Sequence, residues 1–350
     1  MSGSLKLSTC NLQPLDRHRD KHYTTSMDSF GRIVDYLRIS VTDRCNERCL
    51  YCMPEGYKGW EQKPDHLTAD EIVQVVRVAA GMGFRKFRLT GGEPLVRRDL
   101  LEIVRAMKAV PGVECIGLST NATRLAPLAQ SLHDAGLRTA NVSLDALDAD
   151  VYRRVTGGRI EDVLAGIRAA VAAGFERVKL NTVLMRGVNE HELWPLVLFA
   201  AEHGLPLRLI ELMPVTTTEV LTEKNFFPVS EAMDLLAQRD ELIAQPSVQI
   251  GWGPAKYYRL RHTGALVGFI GAMTNLHFCE TCNKMRLTAD GKIRPCLGDH
   301  GELDLREMLR GSKSDDAVRE VLETALARKP LEHSFRDQFK PCRPMTAIGG

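Results

Sequence analysis

The chain has 350 residues, of which 44% are hydrophobic and 26% charged, a composition that excludes general disorder and suits one large globular domain with or without an appendage. Its 46 basic and 44 acidic residues leave a formal charge of +2, so the overall balance predicts neither a nucleic acid nor an acidic membrane as partner. No apolar run approaches the roughly 18 residues that span a bilayer, and residues 1–20 lack the apolar core of a secretory signal, so a cytoplasmic protein is predicted.

Residues 1–30 are predicted to form a tail with little structure, because they are polar, carry charges of both signs and show no apolar periodicity. The first strand is predicted over residues 35–41, where apolar and polar side chains alternate. This strand runs directly into a segment with three cysteines, which therefore lie on a loop.

A repeat follows, in which a glycine closes a helical stretch and precedes a short strand-like run. The repeat occurs at Gly83, Gly112, Gly136, Gly174 and Gly204. Thr68 and Glu71 form a capping box that opens the first helix. Similar helices are predicted over residues 97–110, 122–135, 160–173 and 190–203. Six strands alternating with helices predict a parallel sheet, either an open doubly wound sheet or a partial or complete barrel.

Ligands of parallel α/β sheets gather at the carboxyl ends of the strands. In this chain each predicted strand ends in a polar segment. The cysteine loop follows the first strand, and the segments at the ends of the next five are 91–94, 119–121, 143–145, 181–183 and 211–214. We therefore expect them to converge on one rim. The repeat stops near residue 245, so residues 31–245 are predicted to form the main domain and residues 246–350 a smaller C-terminal domain.

Six of the nine cysteines fall in two tight groups, Cys45, Cys49 and Cys52, then Cys279, Cys282 and Cys296. In a reducing compartment such groups indicate metal or redox chemistry before disulfides. Three thiolates can hold three irons of a cubane cluster and leave the fourth iron open to a substrate. They can also hold zinc with a fourth ligand from elsewhere, which His277 or Cys342 could supply to the second group. The spacing alone leaves both interpretations open.

The CxxxCxxC spacing of the first group, with the aromatic Tyr51 before its last cysteine, resembles the signature of the radical S-adenosylmethionine enzymes. Residues 91–94, Gly-Gly-Glu-Pro, look like the second motif of that superfamily. The resemblance implies a [4Fe–4S] cluster whose open iron is chelated by S-adenosylmethionine. One electron then generates a 5'-deoxyadenosyl radical that abstracts a substrate hydrogen. The resemblance also implies contacts to S-adenosylmethionine by Tyr51, Gly91, Gly92, Glu93, Ser143 and Met213.

The residues around the second cysteine group, 278–286 and 291–296, resemble more specifically the molybdenum-cofactor GTP 3',8-cyclases, which carry a second [4Fe–4S] cluster in their C-terminal domain. Further matching stretches are 35–45, 88–94, 141–145, 178–185, 210–213 and 349–350. The resemblance implies a partial (β/α)6 barrel of TIM type with a smaller, cluster-bearing C-terminal domain. The implied substrate is GTP, with its guanine at the second cluster, and the implied product is (8S)-3',8-cyclo-7,8-dihydroguanosine 5'-triphosphate.

A triphosphate requires fixed cations, preferably arginines that can bind two oxygens at once. The resemblance implies contacts to GTP by Arg38, Arg88, Ser119, Lys179, Arg208, Lys284, Met285 and Arg286. The family commonly has Thr where Ser119 stands and Arg where Lys284 stands. Ser119 keeps the hydroxyl, and Lys284 keeps the positive charge but lacks the planar geometry of arginine. A terminal Gly-Gly of the family reaches into the active site, which implies this role for Gly349 and Gly350.

The implied partners are an external one-electron donor of the flavodoxin or ferredoxin type, a downstream cyclic pyranopterin monophosphate synthase, and a second copy of the chain in a homodimer. Two other functions stay open. One is a radical enzyme that modifies peptides with the help of an auxiliary cluster, although such relatives usually carry more C-terminal cysteines. The other is a metal-stabilised redox sensor without turnover, which leaves the Gly-Gly-Glu-Pro motif unexplained.

Overall fold

The structure is a computed structural model that describes residues 26–53, 65–215, 221–248, 250, 253–311, 314–337 and 339–350. Most of the tail predicted at residues 1–30 lies outside the described residues. Its last part is folded, because the Val34 amide donates to the Ser26 carbonyl (2.8 Å) and Met27 pairs with Ile33 in an antiparallel bridge.

Six parallel strands form the centre of the sheet and are neighbours in chain order. They are β1 (Tyr36–Ser40), β2 (Lys86–Thr90), β3 (Cys115–Thr120), β4 (Leu137–Ser143), β5 (Arg177–Leu184) and β6 (Leu207–Glu211). The alternation at residues 35–41 predicts the first strand and the glycine repeat predicts the other five, and all six are present.

Helices connect these strands, with short 3-10 turns at Pro94–Val96 and Glu190–Glu192. They are α1 (Ala69–Gly81), α2 (Leu100–Lys108), α3 (Ala129–Asp134), α4 (Ala149–Thr156), α5 (Ile160–Ala172) and α6 (Leu193–Glu202). The capping box predicted at Thr68 and Glu71 is present.

Three of these helices begin later than predicted. Before α6, which was predicted from residue 190, residues 190–192 form a 3-10 turn. Helix α2 starts at residue 100 because Arg97 is extended and its guanidinium is held by Asp99 (Nε to Oδ1, 2.7 Å). Helix α3 starts only after Pro127, because proline lacks an amide hydrogen and excludes the helical conformation from the residue before it.

The C-terminal part of the chain extends the same sheet at both edges. Its elements are α7 (Val229–Ala237), β7 (Leu242–Ala244), β8 (Lys256–Leu260), β9 (Leu266–Ile270), β10 (Lys284–Leu287), β11 (Lys292–Arg294), β12 (Leu303–Asp304), α8 (Arg306–Arg310), α9 (Asp315–Ala327) and α10 (Met345–Ile348). Strand β9 pairs in parallel with β6, and β10 pairs in parallel with β1. The domain boundary predicted near residue 245 falls between the antiparallel partners β7 and β8, and the division into two domains stays a prediction.

The two faces of the central sheet differ in polarity. Leu37, Ile39, Phe87 and Leu89 are buried in the apolar core that the sheet shares with the helices. Successive side chains of a strand point to opposite faces, so the residues between them lie on the other face. That other face therefore carries the charged side chains. Among the described residues, no helix is long and apolar enough to cross a membrane.

Candidate active site

The polar face of the sheet lines a cavity of about 380 Å³. Arg38 reaches it because its neighbours Leu37 and Ile39 point into the core, and the same alternation places Arg88 between Phe87 and Leu89. Since β10 lies beside β1 and β9 beside β6, residues of the C-terminal part line the same cavity. The two cysteine groups, far apart in sequence, therefore share one space.

The first cysteine group lies on the loop after β1, and this loop packs against residues 91–93. The Gly92 amide donates to the Thr42 carbonyl and the Glu93 amide to the Arg44 carbonyl, both at 2.7 Å. A Cβ atom at Gly92 would lie 2.2 Å from the Arg44 carbonyl oxygen, so only glycine permits this approach. The close contact fixes the loop just before Cys45.

Three buried carboxylates surround the first cysteine group. Glu93 accepts hydrogen bonds from the Thr120 hydroxyl (2.7 Å) and the Asn121 amide (2.8 Å), and burial raises its pKa to about 7. Asp145 accepts from the Tyr51 hydroxyl (2.7 Å), and burial raises its pKa to about 6. The third, Glu47, accepts from the Tyr152 hydroxyl (2.8 Å), and burial raises its pKa to about 8.

The thiols of this group are held in their neutral form. Burial, together with the charge of Glu93, raises the pKa of Cys45 to about 12, and burial with Asp145 raises that of Cys52 to about 12. The pKa of Cys49 is raised well above its ordinary value, again chiefly by burial. Loading this site with metal therefore has to release protons from all three thiols.

Three thiols facing one cavity suit a cubane, in which each thiolate binds a different iron. Within the described part of the chain, no group of three or more His, Cys, Asp or Glu side chains is arranged around a single metal-ion position.

The second cysteine group has basic surroundings. The Lys329 ammonium donates to the carbonyls of Lys284 and Pro295, both at 2.8 Å, beside the cysteines of this group. Burial opposes ionisation of the Cys282 thiol, but the charges of Lys329 and Lys284 outweigh it and lower the pKa of Cys282. The Arg32 guanidinium donates to the Cys279 carbonyl (3.0 Å), which ties the N-terminal hairpin to this loop.

Cationic side chains extend from the second cysteine group along the sheet, namely Arg38, Arg88, Lys179, Arg208, Lys284 and Arg286. Among the described residues none of these six forms an ion pair with a carboxylate. Burial, reinforced by Arg208 and Arg88, lowers the pKa of Lys179 well below its ordinary value, and burial with neighbouring arginines lowers the pKa of Arg286 to about 9. Such a concentration of uncompensated buried cations indicates an anion-binding site.

Comparison with known proteins identifies the family. Residues 39–200 match the Radical SAM superfamily, and residues 205–335 match Molybdenum Cofactor Synthesis C. The GTP 3',8-cyclase of Pelotomaculum thermopropionicum is 43% identical over 92% of this chain and 99% of its own length. The chain belongs to the GTP 3',8-cyclase family. The cyclase of Moorella thermoacetica is similarly related, with 44% identity over 92% of this chain and 99% of its own length.

Solved structures with the same fold include Streptococcus suis SuiB, with a TM-score of 0.59 and 16% identity over 87% of this chain and 69% of that one. Another is native anSMEcpe with bound AdoMet, with a TM-score of 0.58 and 14% identity over 86% of this chain and 82% of that one. At this level of identity the likeness concerns the fold alone. It confirms the predicted α/β partial barrel. The barrel is not closed in the described part of the chain, because the edge strands β12 and β7 of the twelve-stranded sheet do not pair with each other.

The structure brings the predicted cyclase site residues together around the one cavity, except Met285 and Gly349. Met285 is fully buried in the apolar core, because it alternates with Lys284 and Arg286 on β10 and points away from the cavity. The side chain of Met285 therefore does not line the cavity, and the contact between Met285 and GTP stays a prediction. The Gly349 carbonyl accepts a hydrogen bond from Arg286, and the Gly350 carbonyl accepts one from the Thr90 hydroxyl (2.7 Å).

Several cavity residues were not predicted. Tyr36 accepts a hydrogen bond from Arg88 Nε, and Asn141 presents a buried side-chain oxygen without a partner among the described residues. Strand alternation could have revealed both, because they lie two residues from Arg38 and from Ser143 respectively. Lys329 follows α9 and carries no comparable signal in the sequence.

Proposed function

We propose that this chain is a GTP 3',8-cyclase, a radical lyase that converts GTP to (8S)-3',8-cyclo-7,8-dihydroguanosine 5'-triphosphate in molybdenum cofactor biosynthesis. The observation that carries the proposal is one cavity with two cysteine groups in opposite electrostatic surroundings. Carboxylates surround the first group, and a row of buried cations leads to the second.

The acidic end suits S-adenosylmethionine, whose sulfonium and amino groups are positively charged. Cys45, Cys49 and Cys52 would hold the first [4Fe–4S] cluster, which supplies the single electron for cleavage of the bound cofactor. We assign the cofactor contacts to Tyr51, Gly91, Gly92, Glu93, Ser143 and Met213. The hydrogen bond from Tyr51 to Asp145 holds that ring in place (2.7 Å), and the buried walls exclude water from the reacting atoms.

The basic end suits a nucleoside triphosphate. We assign the phosphate contacts to Arg38, Arg88, Ser119, Lys179, Arg208, Lys284 and Arg286. Arg88 is already fixed by Tyr36, Thr139 (3.1 Å) and the Leu118 carbonyl (2.6 Å), so its charge is positioned before substrate arrives. Cys279, Cys282 and Cys296 would hold the second cluster and leave one iron for the guanine.

The same proposal includes the partners and the compartment. The electron has to come from outside the chain, and we assign its delivery to a flavodoxin or ferredoxin. The product would pass to a cyclic pyranopterin monophosphate synthase, and the chain would act as a homodimer. We place it in the cytoplasm, because a reducing compartment keeps the two cysteine groups available as cluster ligands.

One experiment tests the reaction. The protein is reconstituted without oxygen, its iron and sulfide are counted, and dithionite, S-adenosylmethionine and GTP are added. We expect about eight irons per chain, 5'-deoxyadenosine and a cyclised nucleotide. About four irons would contradict the second cluster, and 5'-deoxyadenosine without any loss of GTP would contradict the substrate. Cleavage of S-adenosylmethionine that requires an added peptide would favour the peptide-modifying alternative. Stably bound zinc without turnover would favour the redox sensor.

A further inference from the structure

Lys329 is a buried cation at the second cysteine group. Its side chain leaves the segment after α9 and lines the cavity with only 2% of the residue exposed. Two hydrogen bonds hold its ammonium, one to the Lys284 carbonyl and one to the Pro295 carbonyl, both at 2.8 Å. A side chain with four rotatable bonds is therefore fixed in one position.

The two carbonyls belong to the two segments that carry the cysteines of this group. Lys284 follows Cys282 by two residues, and Pro295 immediately precedes Cys296. One ammonium therefore ties the start of β10 to the segment after β11. The connection lies just beyond the antiparallel pairing of β10 with β11, whose last register pair is Arg286 with Arg294, and it continues the link between the two segments toward Cys282 and Cys296.

The charge of Lys329 also needs a partner. Within the described ranges, none of the ion pairs includes it, and its charged neighbour Lys284 is another cation. Burying an ammonium without an anion is costly. Among the described residues beside it, the groups that become anionic on binding metal are the cysteine thiols of the second group. At the first group the Arg48 guanidinium donates to the Cys45 carbonyl (2.9 Å), but the buried carboxylates Glu47, Glu93 and Asp145 lie around those cysteines.

We propose that Lys329 is the positioning residue of the second [4Fe–4S] site, holding the segments of Cys282 and Cys296 together and balancing the thiolate charge. The inference rests on the proposed function, since it requires a cluster at this site. A fixed positive charge favours the more negative, reduced state of a cluster, so Lys329 raises the reduction potential of the second cluster above that of a variant with a neutral residue.

The test compares four variants of the full chain, reconstituted without oxygen. Lys329→Gln keeps a hydrogen-bond donor and removes the charge, Lys329→Met removes both, and Lys329→Arg keeps the charge. Lys256→Gln, on the exposed face of β8, is the control. Iron is counted, and each cluster is titrated with reductant while its paramagnetic signal is followed. The signal that responds to S-adenosylmethionine marks the first cluster.

We expect Lys329→Gln and Lys329→Met to lower the potential of the second cluster and to leave that of the first unchanged. Lys329→Met should also lose iron, from about eight toward about four per chain, because both carbonyl contacts are gone. Lys329→Arg and Lys256→Gln should keep the wild-type potential and iron content.

Two results would overturn the inference while the proposed function stands. In both, the wild-type protein binds about eight irons. In the first, the reduction potential of the second cluster is the same in Lys329→Gln as in wild type. In the second, Lys329→Gln shifts the reduction potentials of both clusters equally. A role for the charge would likewise be contradicted if the reduction potential of the second cluster fell in Lys329→Met but kept its wild-type value in Lys329→Gln. Wild-type protein that binds only about four irons overturns the proposed function, and the inference with it.

Discussion

Arg38 in β1 and Arg286 in β10 are register partners on adjacent parallel strands, although one belongs to the first strand and the other to the C-terminal part. Arg88 in β2 is the partner of Arg38 on its other side. Three guanidinium groups therefore lie in one row across the sheet. Like charges at this spacing repel, so an anion such as a triphosphate that binds across the row relieves this repulsion.

The first prediction concerns the centre of this row. Arg38→Gln should weaken GTP binding about 10- to 150-fold, because a hydrogen bond to a charged group contributes about 1.5–3 kcal/mol. Reductive cleavage of S-adenosylmethionine without GTP should continue. Calorimetric titration with GTP measures the affinity, and the exposed Arg168→Gln serves as the control. An unchanged GTP affinity in Arg38→Gln would remove Arg38 from the phosphate site.

The second prediction separates the two cysteine groups. Cys296→Ser should abolish formation of the cyclised nucleotide and reduce the iron content from about eight to about four per chain. Cleavage of S-adenosylmethionine should persist, because the first group and its carboxylates are intact. Quantifying 5'-deoxyadenosine and cyclised nucleotide in one reaction checks both statements. Equal loss of the two products would show that the clusters do not divide the chemistry.

The third prediction concerns Gly349, which has φ +79° and lies beside Thr90 and Ser40. A Cβ atom there would lie 2.9 Å from Thr90 Cγ2 and 3.1 Å from Ser40 Cβ. Gly349→Ala should therefore displace the chain end and reduce product formation at least about tenfold, the effect of about 1.4 kcal/mol on a barrier.

Gly187 provides a matched control for this variant, because its φ is +69° and nothing lies within 4 Å of the added Cβ position. Gly187→Ala tests a positive φ without the close contacts; it should bear a backbone strain of about 1 kcal/mol and retain product formation. Similar rates for the two variants would mean that contact with Thr90 and Ser40 is unimportant. Measuring initial rates at saturating S-adenosylmethionine makes the comparison.

The fourth prediction concerns pH and the metal-free protein. Burial raises the pKa of Asp145 to about 6, whereas an unfolded aspartate titrates near about 3.9. Because the pKa is higher in the folded state, the contribution of Asp145 to the free energy of unfolding is favourable at low pH and is lost as the pH rises from about 4 through about 6.

Asp145→Asn removes this contribution, so the variant should gain up to ~3 kcal/mol relative to wild type between pH about 4 and about 7. Urea denaturation at both pH values measures the difference. The exposed Asp150→Asn should follow the pH dependence of wild type. A parallel pH dependence for wild type and Asp145→Asn would contradict the raised pKa.

Helix and strand positions are predicted well from the sequence where the residues that determine them are close together in the chain. The Thr68 and Glu71 capping box opens α1 as expected, since its hydrogen bonds join residues three apart. The start of α3 was predicted too early because apolar spacing continues through Pro127, where the backbone cannot remain helical. Met285 was assigned to GTP from its motif. Its place on the core face of β10 became visible only once the structure showed that β10 pairs with β1.

By itself, the sequence determined the six alternating units, the two cysteine groups and the family, because glycine spacing, thiol spacing and short motifs are properties of neighbouring residues. Only the tertiary structure decided that both cysteine groups face one cavity, that Arg286 lies beside Arg38, and that Lys329 joins the segments of Cys282 and Cys296. These relationships depend on strands β9 and β10 pairing with the edges of the central sheet. Such pairings are made by backbone hydrogen bonds between distant segments, and no local pattern of side chains specifies them.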